Sequence, residues 1–541
     1  MSDFVGHLPI LSVIVPLFAG GLMVMLKEKR RTLNTFISFA SIIVQLFVAL
    51  SLLVYTSGYL ESELTNNIAV YLLGNWQAPL GIVLVADQLA ALMLCLTAFL
   101  GLTSLIYSTA MWNRVGIHFY PLFQFILMGL NGAFLTGDLF NLFVFFEVFL
   151  AASYGLLLHG SGERRVSSSM LYVTINMVGA SLLLISISMI YSITGTLNLA
   201  EVAAKAGALR SEDRLLFETA CSILGVAFLV KAAAWPLNFW LPNAYSAASA
   251  PVAAMFAVMT KVGIYTLLRV GSLLLPSGAP TAFGGDWTFY IGIATLIFGI
   301  LGVLAEKNLG RLAGYSMILS SGVLLSALGM PGVSMTGPTL YYLISSVLAS
   351  SALFLLVELI GRVDTYESSV LSVSMEAFGL GEEEDTTDYS DEVVGLKLPG
   401  AFAFLGVSYI VAALVLIGLP PLSGFIGKIG LLSNALKLNN YEISGIHTWL
   451  LLGFLIFSGL ASLISYMRAG VLKFWTPEKI SIPTLSFREA IPIVLLLSTC
   501  ILMSIFANSV MTLMNNIALS LDEPFHYINA VMQQQPLKGA H

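Results

Sequence analysis

Charge is the first thing this chain lacks. Only 10% of its 541 residues are Asp, Glu, Lys or Arg, against about 25% in a soluble globular protein, and its mean hydropathy is +0.90. That excludes an ordinary soluble enzyme and leaves no basic surface for nucleic acid. Cysteine is almost missing as well. Cys95, Cys221 and Cys500 each sit in an apolar run with no CxxC or CxxH spacing, so neither a disulfide nor a metal site is expected. There is no Walker motif, no GxGxxG after a strand, and no haem or iron–sulfur ligand set. No cofactor is therefore expected. The ten-residue alternation of a transmembrane barrel is also absent.

What is present is apolar length. Runs of about 20 apolar residues recur from end to end, each enough to cross a bilayer as a helix. They predict an all-α polytopic membrane protein of about 14 transmembrane helices. The spans fall near 8–26, 34–55, 84–107, 117–136, 138–158, 167–193, 214–235, 243–273, 287–305, 310–329, 337–361, 400–436, 447–467 and 489–514. The first run is long enough to span and is followed by Lys27-Glu-Lys-Arg-Arg31, so no separate cleavable leader is expected. Of the 24 lysines and arginines, 15 fall in the loops of one side and 5 on the other. The positive-inside rule then places both termini outside. Thr194 to Arg214, with Leu197, Leu199, Val202 and Ala206, reads as a short interfacial helix on the outer surface. Residues 364–399 hold Glu382-Glu-Glu-Asp385, Asp388, Asp391 and Glu392, and read as a solvated cytoplasmic linker, with contact to a partner subunit as the other reading.

The sharpest local feature is the stretch from Phe228 to Asn243. It sets Lys231 in an apolar run and then interrupts that run with Pro236 and Pro242. A charge at mid-bilayer costs roughly 3 kcal/mol on insertion scales, and an interior proline removes a backbone hydrogen bond. Together they describe a discontinuous helix carrying an ion site. Span 12 echoes it with Pro420-Pro-Leu-Ser-Gly-Phe425 and Lys428. The two breaks lie five spans apart, an odd offset, so the second unit is inverted relative to the first. Spans 4–8 and 9–13 then form two inverted five-helix repeats, with spans 7 and 12 discontinuous. The chain divides into an N-terminal three-helix segment (1–112), a first repeat (113–273), a second repeat (274–470) carrying the acidic loop 364–399, and a C-terminal helix with an outer tail (471–541).

Four ionisable side chains lie well inside spans: Glu147, Lys231, Lys261 and Lys428. Any one of them could be a structural ion pair or a snorkelling side chain. Four together would cost on the order of 10 kcal/mol, and with one acid among them pairing cannot neutralise all. Burial favours a neutral amine, and an approaching carboxylate favours the ammonium. A lysine whose carboxylate can approach or withdraw is thus a proton switch. Other charges read as structural: Arg269 as snorkelling to the headgroups, Asp87 and Asp138 as caps or interfacial groups, and Glu358 as an i,i+4 partner of Arg362. Gly322 and Gly329 read as helix-packing positions.

Phe145-Phe-Glu-Val148, Lys231-Ala-Ala-Ala-Trp-Pro-Leu237, Leu241-Pro-Asn-Ala244, Thr260-Lys-Val-Gly-Ile-Tyr265 and Gly418-Leu-Pro-Pro-Leu-Ser-Gly424 resemble the proton-translocating antiporter-like family. That family includes the large membrane-arm subunits of respiratory complex I and the A and D subunits of Mrp-type cation/proton antiporters. The D type is the nearest likeness, on Gly81-Ile-Val-Leu-Val-Ala-Asp87, Thr136-Gly-Asp-Leu-Phe-Asn-Leu-Phe-Val144, Ala352-Leu-Phe-Leu-Leu-Val-Glu-Leu-Ile360 and Pro420-Pro-Leu-Ser-Gly-Phe-Ile-Gly-Lys428. The resemblance implies that Glu147 pairs with Lys231, that Lys261 is the central relay, and that Lys428 is the transfer point of the second half. It implies a proton-translocating subunit of a Na⁺ (or K⁺)/H⁺ antiporter in a bacterial inner membrane, working with A-, B-, C-, E-, F- and G-type subunits and driven by the proton motive force. A proton pump of a redox complex uses the same residues and is the alternative; a non-conducting scaffold is the third reading. The sequence departs from the family pattern at Asn243, at Ala248-Ser249, and between Lys261 and Lys428, where Tyr315-Ser-Met-Ile-Leu-Ser-Ser-Gly322 and Ser345-Ser346 stand in place of titratable links. Water and serine hydroxyls are the expected substitutes.

Overall fold

The computed structural model describes residues 2–26, 30–58, 68–112, 118–160, 162–274, 286–331, 335–378, 400–438, 445–475 and 485–536. Helix dominates, because a backbone surrounded by lipid must satisfy its polar groups within one segment. The N-terminal part holds α1 (Ser2–Met25), α2 (Arg31–Thr56) and α3 (Gln88–Ser108). A first group follows: α4 (Phe119–Leu135), α5 (Leu139–Leu157), α6 (Glu163–Thr194), the short α7 (Leu199–Ala206), α8 (Ser211–Lys231), α9 (Leu241–Ala247) and α10 (Ala250–Leu274). The second group is α11 (Asp286–Ala305), α12 (Leu309–Leu328), α13 (Thr336–Phe378), α14 (Gly400–Ile417), α15 (Ser423–Leu438) and α16 (Gly445–Phe474). It is followed by α17 (Phe487–Ile505), α18 (Ala507–Asp522) and α19 (Pro524–Met532). Among the described residues, 12 helices are long and apolar enough to cross a membrane, and Phe119–Leu135 is a shorter apolar one. The chain is a polytopic membrane protein.

Expected span 12 is two helices, α14 and α15, whereas expected span 7 holds α8, with the short α9 following the break. One boundary moves: residues 243–247, expected at the start of span 8, belong to α9, and α10 begins only at Ala250. Helix starts follow cap chemistry. Asp87 accepts from the Ala90 N–H at 2.9 Å and Asp138 from the Asn141 N–H at 2.9 Å, so both expected caps are present. Asn308 caps α12, and Ser486 with Glu489 forms a capping box on α17. Helices α3, α10, α12 and α13 make the buried centre, while α1, α2, α6, α16 and α17 lie at the periphery. Helices α11 and α12 pack through glycines on both sides: a methyl group at Gly292, Gly299, Gly322 or Gly329 would collide with the backbone of the other helix.

Two elements were not expected. Val83–Ala86, read as the start of span 3, instead pairs antiparallel with Ala69–Leu72 (β2 and β1), because alternating valines suit a strand and Asp87 stops it. This ribbon bonds the α4–α5 turn through Gly137 N–H to Val83 O at 2.9 Å. The C-terminal tail forms α18 and α19, which pack on α13 and on α7. The interfacial segment does form a helix, α7, but its Leu199, Val202 and Ala206 are buried against protein rather than against headgroups. Helix α13 continues to Phe378; the acidic run Glu382-Glu-Glu-Asp385 lies outside the described residues.

Candidate functional site: buried lysines at two helix breaks

Lys231 is the last residue of α8 and is buried. The helix cannot continue because Ala233 takes φ +54° and Pro236 follows. Ala234 N–H bonds back to Leu229 O at 3.0 Å, and Leu237 N–H closes a turn on Ala234 O at 2.8 Å. Pro242 lies in the first turn of α9, where a proline is tolerated, so Pro236 is the residue inside the break. Gly263 of α10 lets the break sit close, since a Cβ there would meet Ala232 N at 2.5 Å and Phe228 O at 2.6 Å. The Lys231 ammonium donates to Asn176 Oδ1 on α6 at 3.2 Å and lies 5.7 Å from the centre of the Phe146 ring. Glu147 is within electrostatic reach of Lys231 but forms no direct ion pair with it. Its Oε1 is buried without a hydrogen-bond partner. An unpaired buried carboxylate oxygen next to a buried ammonium is an arrangement that a small movement or a proton would relieve.

Lys261, fully buried in the middle of α10, donates to Ser320 Oγ at 3.1 Å and to Ser321 Oγ at 3.2 Å on α12. Ser320 in turn bonds Ser346 Oγ on α13 at 3.0 Å. The neighbouring Ser345 meets Ser423 Oγ at 2.7 Å, at the start of α15. The serines that replace the expected titratable links therefore form two separate hydroxyl groups, Ser320, Ser321 and Ser346 around Lys261 and Ser345 with Ser423 at the second break.

That break repeats the first in backbone detail. Gly418 takes φ +80°, Leu419 N–H bonds Leu414 O at 3.1 Å, and Leu422 N–H bonds Leu419 O at 3.3 Å, with Pro420 and Pro421 between α14 and α15. Lys428 lies beyond the break, on α15. Its ammonium donates at 2.8 Å to the carbonyl of Ile417, the last residue of α14. Helix C-termini leave carbonyls free and favour positive charge, so among the described residues this ammonium is held by a backbone carbonyl. Among the described residues no three or more His, Cys, Asp or Glu side chains group as metal ligands.

Residues 136–453, which contain Glu147 and all three lysines, match the family described as NADH:quinone oxidoreductase/Mrp antiporter, transmembrane. The chain belongs to this family. The D-type subunit of the probable K⁺/H⁺ antiporter of Rhizobium meliloti (strain 1021) is 46% identical, across 98% of each chain. The D-type subunit of the Na⁺/H⁺ antiporter of Alkalihalophilus pseudofirmus is 32% identical, across 98% of this chain and all of the relative. In fold, the chain is similar to one in the Mrp complex of Dietzia sp. DQ12-45-1b, with TM-score 0.81 and 24% identity over 98% of this chain and 99% of that one. It is also similar to one in respiratory complex I of Thermus thermophilus, with TM-score 0.70 and 22% identity over 95% of this chain and 99% of that one.

Away from the lysine row, this family member pairs its remaining buried charges. Arg269 does not snorkel. Asp87, at the start of α3, takes it in a bidentate pair at 2.6 and 2.7 Å, and the Tyr527 and Tyr265 rings flank it at 5.2 and 5.6 Å. Sequence spacing could not join positions 87 and 269. Glu358 does pair with Arg362, as expected, and Arg362 also pairs with Glu489. Glu358 further accepts from Trp112 Nε1 at 2.7 Å and from the Ala250 N–H at 3.2 Å, which anchors the start of the Lys261 helix. Beside it, burial lowers the His159 pKa from the ordinary range. The Trp112 carbonyl, 3.1 Å from Nε2, raises it again, and Arg165 lowers it. Asn176 was missed by sequence reading, although an amide inside an apolar span was the available signal.

Proposed function

We propose that this chain is the proton-conducting, D-type component of a multisubunit Na⁺/H⁺ or K⁺/H⁺ antiporter. It is a secondary transporter component, not an enzyme. Relatives named as D-type antiporter subunits, at 46% and 32% identity, support this reading over a redox-driven pump, which shares the family description and the fold. Its partners are the A-, B-, C-, E-, F- and G-type subunits, and the membrane is the bacterial cytoplasmic one. The excess of lysine and arginine on one set of loops supports both termini lying outside.

The observation that carries the mechanism is the pair of cut helices with a buried lysine at each, with Lys261 and buried serine hydroxyls among the helices between them. Protonation of Glu147 removes the negative charge near Lys231, which favours release of the lysine's proton. The proton passes by way of Lys261 and these hydroxyls to Lys428. Return of the Glu147 charge recharges Lys231. Lys231→Ala and Glu147→Ala should each abolish cation-dependent proton exchange in membrane vesicles while the complex still assembles. Exchange at the wild-type rate in either variant would overturn the assignment.

A further inference from the structure

A second charged group lies away from the lysine row, at the elbow of Ala248 and Ser249 between α9 and α10. Lys231 precedes this elbow in the chain and Lys261 follows it. On one side Arg165 of α6 donates its Nε to the carbonyl of Ala247, the last residue of α9, at 2.9 Å. On the other side Glu358 of α13 accepts from the N–H of Ala250, the first residue of α10, at 3.2 Å. A cation thus meets the carbonyl end of one helix and an anion the amide end of the next, each sign where a helix terminus favours it. Trp112, itself buried, ties the two together. Its Nε1 donates to the same Glu358 oxygen at 2.7 Å, and the Arg165 guanidinium lies 5.1 Å from the centre of its ring.

The same tryptophan holds a titratable group. His159, just past α5, is buried with Nε2 3.1 Å from the Trp112 carbonyl, and its own carbonyl accepts from Arg165 Nη1 at 2.8 Å. A ring nitrogen that faces a carbonyl carries the hydrogen, so neutral His159 has Nδ1 left to take up a proton. The Phe119 ring at the start of α4 lies 5.2 Å away. Among the described residues Arg165 is the charged group that acts on His159 directly. Glu358 acts on Arg165 in turn, and it shares its charge with Arg362, which also pairs with Glu489. Protonation of His159 therefore sets a second positive charge beside the Arg165 guanidinium in a buried place. Burial and Arg165 hold its pKa below the ordinary range, against the Trp112 carbonyl. The closed cluster thus binds the proton less well than a loosened one. Acid favours loosening, and above the ordinary histidine range the effect vanishes.

We propose that Arg165, Trp112 and Glu358 are positioning residues that clamp the α9–α10 elbow for proton transfer, and that a proton taken up by His159 loosens the clamp. This rests on the proton-conducting reading above and adds its regulation. Helix α10 carries Lys261 and packs on the first break through Gly263. A shift of its first turn moves Lys261 against Ser320 and Ser321, and the break against Lys231, in one step. In the proposed orientation the elbow lies on the cytoplasmic side, so cytoplasmic acid slows exchange.

His159→Gln is the decisive variant, because glutamine keeps an N–H for the Trp112 carbonyl and cannot take the proton. The assay is cation-dependent exchange by the whole complex in inverted membrane vesicles, where the cytoplasmic face meets the medium. The pH difference across the membrane is held fixed while the medium goes from about pH 7.5 to about pH 5.5, across the ordinary histidine range. Wild type should slow as the medium is acidified. In His159→Gln the ratio of the acid rate to the neutral rate should rise about two-fold or more above wild type. Arg165→Lys keeps the charge but loses the fork that reaches both Ala247 O and His159 O. It should lower exchange at about pH 7.5 by about ten-fold per assembled complex, the scale of a lost charged hydrogen bond. An unchanged ratio in His159→Gln would overturn the switch, since a merely structural histidine lowers both rates alike. A wild-type rate in Arg165→Lys would overturn the clamp. Failure of the proton reading is distinguishable, because it appears as exchange persisting in Lys231→Ala, whatever the pH ratio of His159→Gln.

Discussion

The two helix breaks share a backbone and differ in how they hold charge. Their left-handed residues, Ala233 and Gly418, and the bonds that follow correspond residue for residue. On that correspondence Lys231 falls opposite Leu416, and Lys428 falls opposite Asn243. The lysine has changed sides of the cut. Lys231 is the last residue of α8 and its ammonium turns to the Asn176 amide of α6, whereas Lys428 reaches back from α15 to Ile417 O at the end of α14. The fixed element is the cut itself, which frees carbonyls where one helix ends and the next has yet to start. The variable element is the partner. Lys231 has Glu147 within reach and an amide to hold it, whereas Lys428 has a carbonyl and, among the described ion pairs, no carboxylate. Under the proposed mechanism the first break is the one that switches and the second the one that receives and releases.

The strongest way to break this comparison is to remove the second lysine. Lys428→Ala should lower cation-dependent proton flux by about 100-fold or more, the scale of losing a proton-transfer group. Gly418→Ala should reach the same group by another route. A Cβ at Gly418 would lie 2.7 Å from Lys428 Cδ, on a backbone with φ +80° that disfavours a side chain, and would push the ammonium off Ile417 O. Flux in inverted vesicles, normalised to assembled complex, measures both. More than half the wild-type rate in Lys428→Ala would make the second break structural only.

A smaller effect sharpens the link between the breaks. Ser346→Ala removes the hydroxyl that receives Ser320, and one such bond is worth roughly 1 kcal/mol, or about five-fold in rate. Ser320→Ala should match it, because Lys261 retains Ser321. Wild-type rates in both would assign the step to water and not to these hydroxyls.

How much of this was legible depends on the range of each interaction. Apolar runs gave the helices, and proline with lysine marked both breaks, because those signals are local. Glu358 with Arg362 was readable for the same reason, at one helical turn. Arg269 was misread because its carboxylate comes from Asp87, far away in the chain. The reversal of the lysine across the cut was legible, since Lys231 precedes Pro236 and Lys428 follows Pro421; its consequence was not. Both stretches read as proline beside lysine, and only the bond to Ile417 O shows that Lys428 serves the helix before it. The β1–β2 ribbon escaped because a short valine-rich run reads equally as the start of a helix.

The smallest prediction tests whether the cut is set by its backbone or by its residues. Ala233 holds φ +54°, a conformation costing an L-residue about 1–2 kcal/mol relative to its ordinary state. Ala233→Gly removes that strain but frees the unfolded chain by about 0.4–1 kcal/mol. The second offsets part of the first, so thermal stability of the purified complex should rise slightly, by about 0–1.6 kcal/mol. Exchange should stay within two-fold of wild type, roughly 0.4 kcal/mol in barrier, because the Lys231 bond to Asn176 is untouched. This variant gives the first break the glycine that the second already has at Gly418. A large loss of exchange would mean that the alanine methyl itself positions Lys231, and that the two breaks are not the same device.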